Sequence, residues 1–209
     1  MIKVHHLNDS RSQRILWLLE ELGQEYEVVR YERDATTRLA PPELLAKHPL
    51  GKSPLIEDDG FLIHETGAIV EFLVGKYDDG KLAPTDKGSV LHVRYLEWMH
   101  YAEGSAMLPI LLRMYTARLG DAGAPLHPRI ESELANHFGY MNQSLPTDYF
   151  LGDSLTAADI MMSFPLEAMN MGGGLAPYPN LEAFVKRIQA LPTYKRALAR
   201  GGEYSFAKV

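Results

Sequence analysis

The chain has 209 residues, 46% of them hydrophobic, which is enough apolar material for a real core in one large domain or two small ones and argues against disorder. Its 21 Lys and Arg against 27 Asp and Glu leave a formal charge of -6, and the basic residues are spread without a run, which argues against nucleic acid as a partner. There is no cysteine, so the chain forms no disulfide, builds no thiolate metal site and performs no thiol exchange of its own; any sulfur chemistry must come from a ligand.

Residues 1–6, Met-Ile-Lys-Val-His-His, lack the apolar stretch of a secretory signal, and no segment reaches the roughly 18 uninterrupted apolar residues of a membrane span. The expectation is a cytoplasmic protein with no membrane partner. Residues 2–7 read as a strand, and the polar cluster Asn8-Asp9-Ser10-Arg11-Ser12 opens a helix whose Ile15, Leu18, Leu19 and Leu22 recur at spacings of three and four before Gly23 stops it. Residues 26–31 alternate like a second strand. A polar loop follows, with Pro41-Pro42 starting a short helix over residues 43–46. Residues 54–57 and 61–64 form a hairpin around the Asp59-Gly60 turn signal, and residues 66–77 a helix carrying Ile69, Phe72 and Leu73 on one face.

Residues 1–78 thus read as a complete α/β domain with one mixed sheet, and residues 79–86, with Gly80 and Pro84, as a linker. Residues 87–209 show only helical stripes: 91–114, bent near Pro109, then 128–145, 157–171 and 181–191, with Gly172-Gly173-Gly174 as a flexible connection. No internal repeat is present at a fixed period.

Three motifs stand out. The first is Ser10-Arg11-Ser12-Gln13-Arg14, running on through Leu16-Trp17-Leu18-Leu19-Glu20-Glu21-Leu22-Gly23. The second is Pro49-Leu50-Gly51-Lys52-Ser53-Pro54, with His64-Glu65-Thr66 following. The third is Leu155-Thr156-Ala157-Ala158-Asp159, a capping box with Asp where Glu is commoner, and with Leu155 and Ile160 spaced as a hydrophobic staple. Together they resemble the cytosolic glutathione S-transferase family, of a bacterial, serine-using type, along essentially the full length.

That resemblance implies a thioredoxin-like first domain, an all-α second domain, a homodimer, and a detoxifying transferase with glutathione as co-substrate and no metal. In the family the catalytic hydroxyl or thiol lies four residues before the first-helix Arg; counting back from Arg14 gives Ser10. The absence of Tyr at this turn and of any Cys departs from the tyrosine-using and cysteine-using classes. Ser53 stands where the family often has Val, and Thr66 where it often has Ser.

The chemistry asked of Ser10 is thiol activation. A free thiol near pKa ~8.5 is a few per cent ionised at neutral pH, and lowering it by about two units takes roughly 2.7 kcal/mol. A charge-assisted hydrogen bond, about 1.5–3 kcal/mol, and the positive end of the helix, about 0.3–1 kcal/mol, suffice together. The plainer reading of Ser10 is helix capping. Ser12 is the rival hydroxyl, expected to point around the helix, and Arg11 is a source of assisting positive field or simply a solvated side chain.

By the same resemblance, the peptide groups of Ser53 ahead of a cis Pro54 pair with the cysteinyl part of glutathione like an added strand, Glu65 accepts from the γ-glutamyl ammonium, and Thr66 offers hydroxyl and N–H to its carboxylate. An ordinary loop proline and simple capping are the plainer readings. Lys52 is the first choice for the glycyl carboxylate, with Arg38 and His48 behind it. One of His5 and His6 is expected to face solvent or a hydrogen bond, and a metal site there lacks a second ligand cluster. A small apolar electrophile, or an organic hydroperoxide, is expected between the domains against Met107, Leu111 and Tyr115, spaced four apart, though core packing is the plainer role for each. The alternative is a non-catalytic binding or regulatory module on the same fold, or a structural oligomer with vestigial glutathione affinity.

Overall fold

Strand β1 (Ile2–Leu7) is buried on both faces because it is an interior strand. In the computed structural model, which describes residues 1–145 and 147–207, β2 (Tyr26–Tyr31) runs parallel to it on one side and β3 (Leu55–Asp58) antiparallel on the other. Strand β4 (Phe61–His64) closes a four-stranded mixed sheet of order β2-β1-β3-β4. Helix α1 (Ser12–Glu21) makes the parallel β1–β2 crossover; Ile15, Leu16, Leu18 and Leu19 are fully buried, so its apolar stripe is the core. Leu44 of the short α2 (Pro42–Leu45) packs with Leu7 and Leu55, and α3 (Thr66–Tyr77) buries Ile69, Val70 and Leu73, with Phe72 only half-buried.

The helical part begins with α4 (Val90–Tyr101) and α5 (Met107–Thr116). The expected bend falls one turn before Pro109, as a π-helical segment over Ala102–Ala106. Proline brings no N–H for the carbonyl four residues back, at Ser105, and its ring crowds that carbonyl, so the backbone widens ahead of it. A 3-10 segment (Ala117–Leu126), kinked at Gly120, then leads into α6 (His127–Ser144), α7 (Ala157–Asn170) and α8 (Pro179–Ala190). At the start of α7 the buried Asp159 accepts from the N–H and the hydroxyl of Thr156, both at 2.8 Å, and from the N–H of Phe150 at 2.8 Å. Burial outweighs these bonds and pushes the Asp159 carboxyl up to about 6.

The packing divides the chain into Met1–Leu82 together with everything from Gln189 onward, and Ala83–Ile188. The sequence division ran 1–78 and 87–209, with no helix past residue 191. The difference lies in α9 (Pro192–Gly201), which Leu191 begins by turning extended ahead of a proline in the first helical turn. Helix α9 lies on α1: Tyr194 meets Trp17 edge to face at 5.3 Å, Arg196 pairs with Glu20 at 2.7 Å, and Thr193 bonds Glu21. Arg200 stacks 3.6 Å above the Tyr26 ring. Among the described residues no helix is long and apolar enough to cross a membrane.

Candidate functional site

The chain leaves β1 through Asn8, Asp9 and Ser10 and turns into α1 at Arg11. Arg33, just past β2, grips this turn. Its guanidinium donates to the carbonyls of Asn8 (3.1 Å), Asp9 (3.4 Å) and Arg38 (3.1 Å), and its N–H donates to Asn8 Oδ1 (2.8 Å). Asp9 holds a φ of 49°, and its carboxylate accepts from the Ser205 N–H at 2.8 Å and from Arg38 at 3.2 Å. The loop carrying Ser10 is therefore held from two distant segments, the loop after β2 and the chain around Ser205.

Arg11, not Ser10, is the cap residue of α1, and it makes no side-chain cap bond. Ser10 precedes it; its Oγ accepts the Ser12 N–H at 3.2 Å, a local turn of the kind that competes with helical capping. Ser10 is 4% exposed and Ser12 is not exposed at all. Their hydroxyl oxygens are 2.7 Å apart, and Ser12 Oγ lies 2.8 Å from His6 Nδ1. Ser12, expected to point around the helix, is instead buried with its hydroxyl directly behind that of Ser10.

The Ser53–Pro54 peptide is cis. The Ser53 hydroxyl donates to the His5 carbonyl at 2.8 Å and accepts the Leu7 N–H at 3.3 Å, continuing the β1–β3 pairing with a side chain where the ladder stops. Among the described residues its own N–H and C=O make no backbone hydrogen bond. Ser10 Oγ lies 3.5 Å from Ser53 Oγ, which brings the first and second sequence motifs to one spot. Serine at 53 therefore does what valine has no means of doing: it ties the proline loop to β1.

Glu65 sits ahead of α3 with φ 68° and ψ 119°, a conformation that is costly for a residue with a Cβ, and its side chain is 75% exposed. It makes no capping bond, and its carboxylate lies 3.8 Å from the His64 ring. Thr66, the first residue of α3, is buried. Among the cations, Lys52 is exposed and has no ion pair among the described residues, Arg38 is engaged with Asp9, and His48 stacks on His64 with ring centroids 4.5 Å apart. On α5, Met107 is buried, Leu111 half-buried and Tyr115 54% exposed.

Both strand histidines are buried, so neither faces solvent. Alternation along β1 sends them to opposite faces. His5 bonds the Tyr31 hydroxyl (2.8 Å) and Glu57 (2.9 Å); burial lowers its pKa, and Glu57 opposes the shift. His6 faces Ser12 and the end of α9, where a hydrogen bond joins it to the Gly201 backbone. Burial, seconded by the Arg30 charge, pushes His6 down to about 4, against Asp9 and the Gly201 bond. The role of His6 beside Ser12 had one signal in the sequence: the inward parity of residue 6 just before Ser10-Arg11-Ser12.

A cleft of about 430 Å³ in the helical unit is lined by Arg94, Glu97, Trp98, Tyr101 and Tyr140 among others, and contains none of the residues singled out from the sequence. Among the described residues no group of three or more His, Asp or Glu is placed to hold a metal ion.

Family models for the glutathione S-transferase N-terminal and C-terminal domains match residues 1–75 and 124–200. The chain is 31% identical to glutathione S-transferase 1 of Saccharomyces cerevisiae, over 98% of each chain. It is also 31% identical to a glutathione S-transferase of Actinobacillus pleuropneumoniae, with a TM-score of 0.90 over 100% of this chain and 97% of the other. A glutathione transferase homologue from Sulfitobacter, solved with bound glutathione, shares the fold at a TM-score of 0.81 and 20% identity, over 96% and 98% of the two chains.

Proposed function

The chain belongs to the glutathione S-transferase family, and from that premise we propose that it binds glutathione along the loop of Ser53 and the start of α3, and that Ser10 stabilises the bound thiolate for attack on a second substrate. The observation that carries this reading is the 3.5 Å approach of Ser10 Oγ to Ser53 Oγ. It joins the candidate hydroxyl of Ser10, ahead of α1, to the loop whose peptide groups are suited to accept the cysteinyl part of the ligand as an added strand.

The strained, outward Glu65 supports the rest. A non-glycine residue held at φ 68° costs on the order of 1–3 kcal/mol, and among the described residues its carboxylate makes no helix-capping hydrogen bond that would repay that cost. It is suited to accept from the γ-glutamyl ammonium, while the first turn of α3, with Thr66, offers donors to the neighbouring carboxylate. Lys52 is the cation proposed for the glycyl carboxylate.

The second substrate is proposed to be a small apolar electrophile or an organic hydroperoxide, taken against α5, where Leu111 and Tyr115 keep exposed surface and Met107 serves the core. In conjugation the thiolate sulfur forms the new bond to carbon, and the leaving group departs with its electron pair or the adduct takes a proton. A homodimer is part of the same reading, and light scattering that returned only monomer would remove it. Relatives named as transferases along almost the whole chain lend no support to the non-catalytic alternative.

The deciding experiment follows thiolate absorbance on adding glutathione across a pH series, for wild type and Ser10→Ala. A wild-type thiol pKa about two units below that of free glutathione, returning most of the way in the variant, is expected. An equal shift in both proteins would move the activation away from Ser10.

A further inference from the structure

Ser10, Ser12, His6 and the backbone of Gly201 form one chain of polar contacts, and that chain has a direction. A Cβ placed on Gly201 would lie 3.3 Å from His6 Nε2, so it is Nε2 that faces the Gly201 backbone. The hydrogen bond there favours protonated imidazole, as a bond to a peptide carbonyl does, and a carbonyl only accepts. Nε2 therefore carries hydrogen, and in the neutral ring Nδ1 is left as an acceptor. Ser12 donates to Nδ1 across 2.8 Å, which leaves its oxygen to accept from Ser10 across 2.7 Å. The Ser10 hydroxyl hydrogen thus points inward, towards Ser12, in preference to Ser53 at 3.5 Å.

A bound thiol has two ways to gain from this chain. One passes its proton inward through both serines and ends in a His6 imidazolium. With His6 at about 4 and a free thiol near ~8.5, the imidazole is the weaker base by about four powers of ten, and this route is uphill. The other is rotation. The Ser10 oxygen stays fixed by the Ser12 N–H at 3.2 Å while the hydrogen swings from Ser12 to the sulfur.

We propose that Ser12 and His6 are positioning residues that hold the Ser10 hydroxyl in an inward-donating state, so that the pKa of bound glutathione is set by competition between its sulfur and Ser12 for one hydrogen. The proposal rests on Ser10 being the thiol activator. It gives the two hydroxyls opposite effects: Ser10 stabilises the thiolate, and Ser12 restrains it.

The test is the thiolate titration of bound glutathione in wild type, Ser12→Ala, Ser10→Ala and the double variant. Ser12→Ala removes the inward acceptor and keeps the N–H that fixes the Ser10 oxygen. It is expected to lower the thiol pKa by about half a unit to one unit, the size of one net neutral hydrogen bond, and to have no such effect once Ser10 is alanine. A pKa unchanged or raised by Ser12→Ala, or a fall that persists without Ser10, overturns the proposal. Failure of the underlying reading looks different: Ser10→Ala alone would leave the pKa in place, and both would fall together. Independently of any variant, nitrogen NMR of the His6 ring is expected to show the neutral Nε2–H form from pH 6 to 9. An Nδ1–H form would reverse the chain and refute it.

Discussion

Gly201→Ala tests whether the end of α9 is fitted against the site. Gly201 is buried and is the last residue of the helix; the positive φ falls on Gly202, so no unusual backbone angle calls for glycine at 201. What calls for it is space. An added Cβ would lie 2.9 Å from Leu16 Cδ1, 3.0 Å from Gln13 Oε1 and 3.3 Å from His6 Nε2, three side chains that are themselves buried on α1 and β1. Overpacking of this kind costs about 1–3 kcal/mol, and the better helix propensity of alanine returns up to about 1 kcal/mol. The expected net loss is about 1–2 kcal/mol, or a fall of about 3–6 °C in Tm for a chain of this size. Thermal melts, with urea melts whose slope stays unchanged, measure it. Gly139→Ala is the matched control: it lies inside α6 with nothing within 4 Å of its added Cβ, and should gain about 0.5–1 kcal/mol. Gly201→Ala proving as stable as wild type while Gly139→Ala behaves as expected would refute the packing argument.

Glu65→Gly should part stability from binding. Glycine accepts φ 68° freely, so the unliganded protein should gain about 1 kcal/mol, while glutathione affinity by calorimetry falls about tenfold or more with the loss of a charge-assisted bond; undiminished affinity would remove Glu65 from the site. Asp159 should leave a mark on the pH dependence of stability. Its folded pKa of about 6 lies above the ordinary 3.8, so the native state holds the proton more tightly, and the stabilisation is complete below the ordinary value and lost as pH rises through about 6. Urea melts from pH 4 to 7 should show wild type declining by about 2 kcal/mol relative to Asp159→Asn, which has no such titration; parallel profiles would contradict it.

Much of the fold was legible because local rules govern it. The short strand run of β1, the alternation of β2, the Asp59-Gly60 hairpin and the Thr156–Asp159 start of α7 all appear close to where the sequence pattern and turn chemistry put them. The π-helical segment fell a turn from the expected bend because a proline acts on the carbonyl four residues before it, not on its own position. Helix α9 was passed over because Leu191-Pro192 reads as a stop, and the same proline also serves as a helix start. Its exposed face is charged, so its docking on α1 depends on Tyr194, Ala197 and Gly201, a thin apolar signal in ten residues.

The residues that touch a ligand and the residues that aim them differ in how far apart they lie in the chain. Ser10, Ser53 and Glu65 sit at turns, where special backbone angles and polar side chains leave a local trace. The chain behind Ser10 is set by contacts that leave little: His6 is marked only by strand parity, Ser12 by helical phase, and Gly201 arrives from the far end of the sequence on a helix recognised only once it is seen against α1. Each is unremarkable by itself, a buried histidine, a helix serine, a helix-end glycine. Their consequence exists only in combination, because the carbonyl beside Gly201 decides which His6 nitrogen carries hydrogen, and that choice decides where the Ser10 hydroxyl points. A change at residue 201 should therefore be felt in the thiol pKa as well as in the melting temperature, which no reading of the first 77 residues alone would suggest.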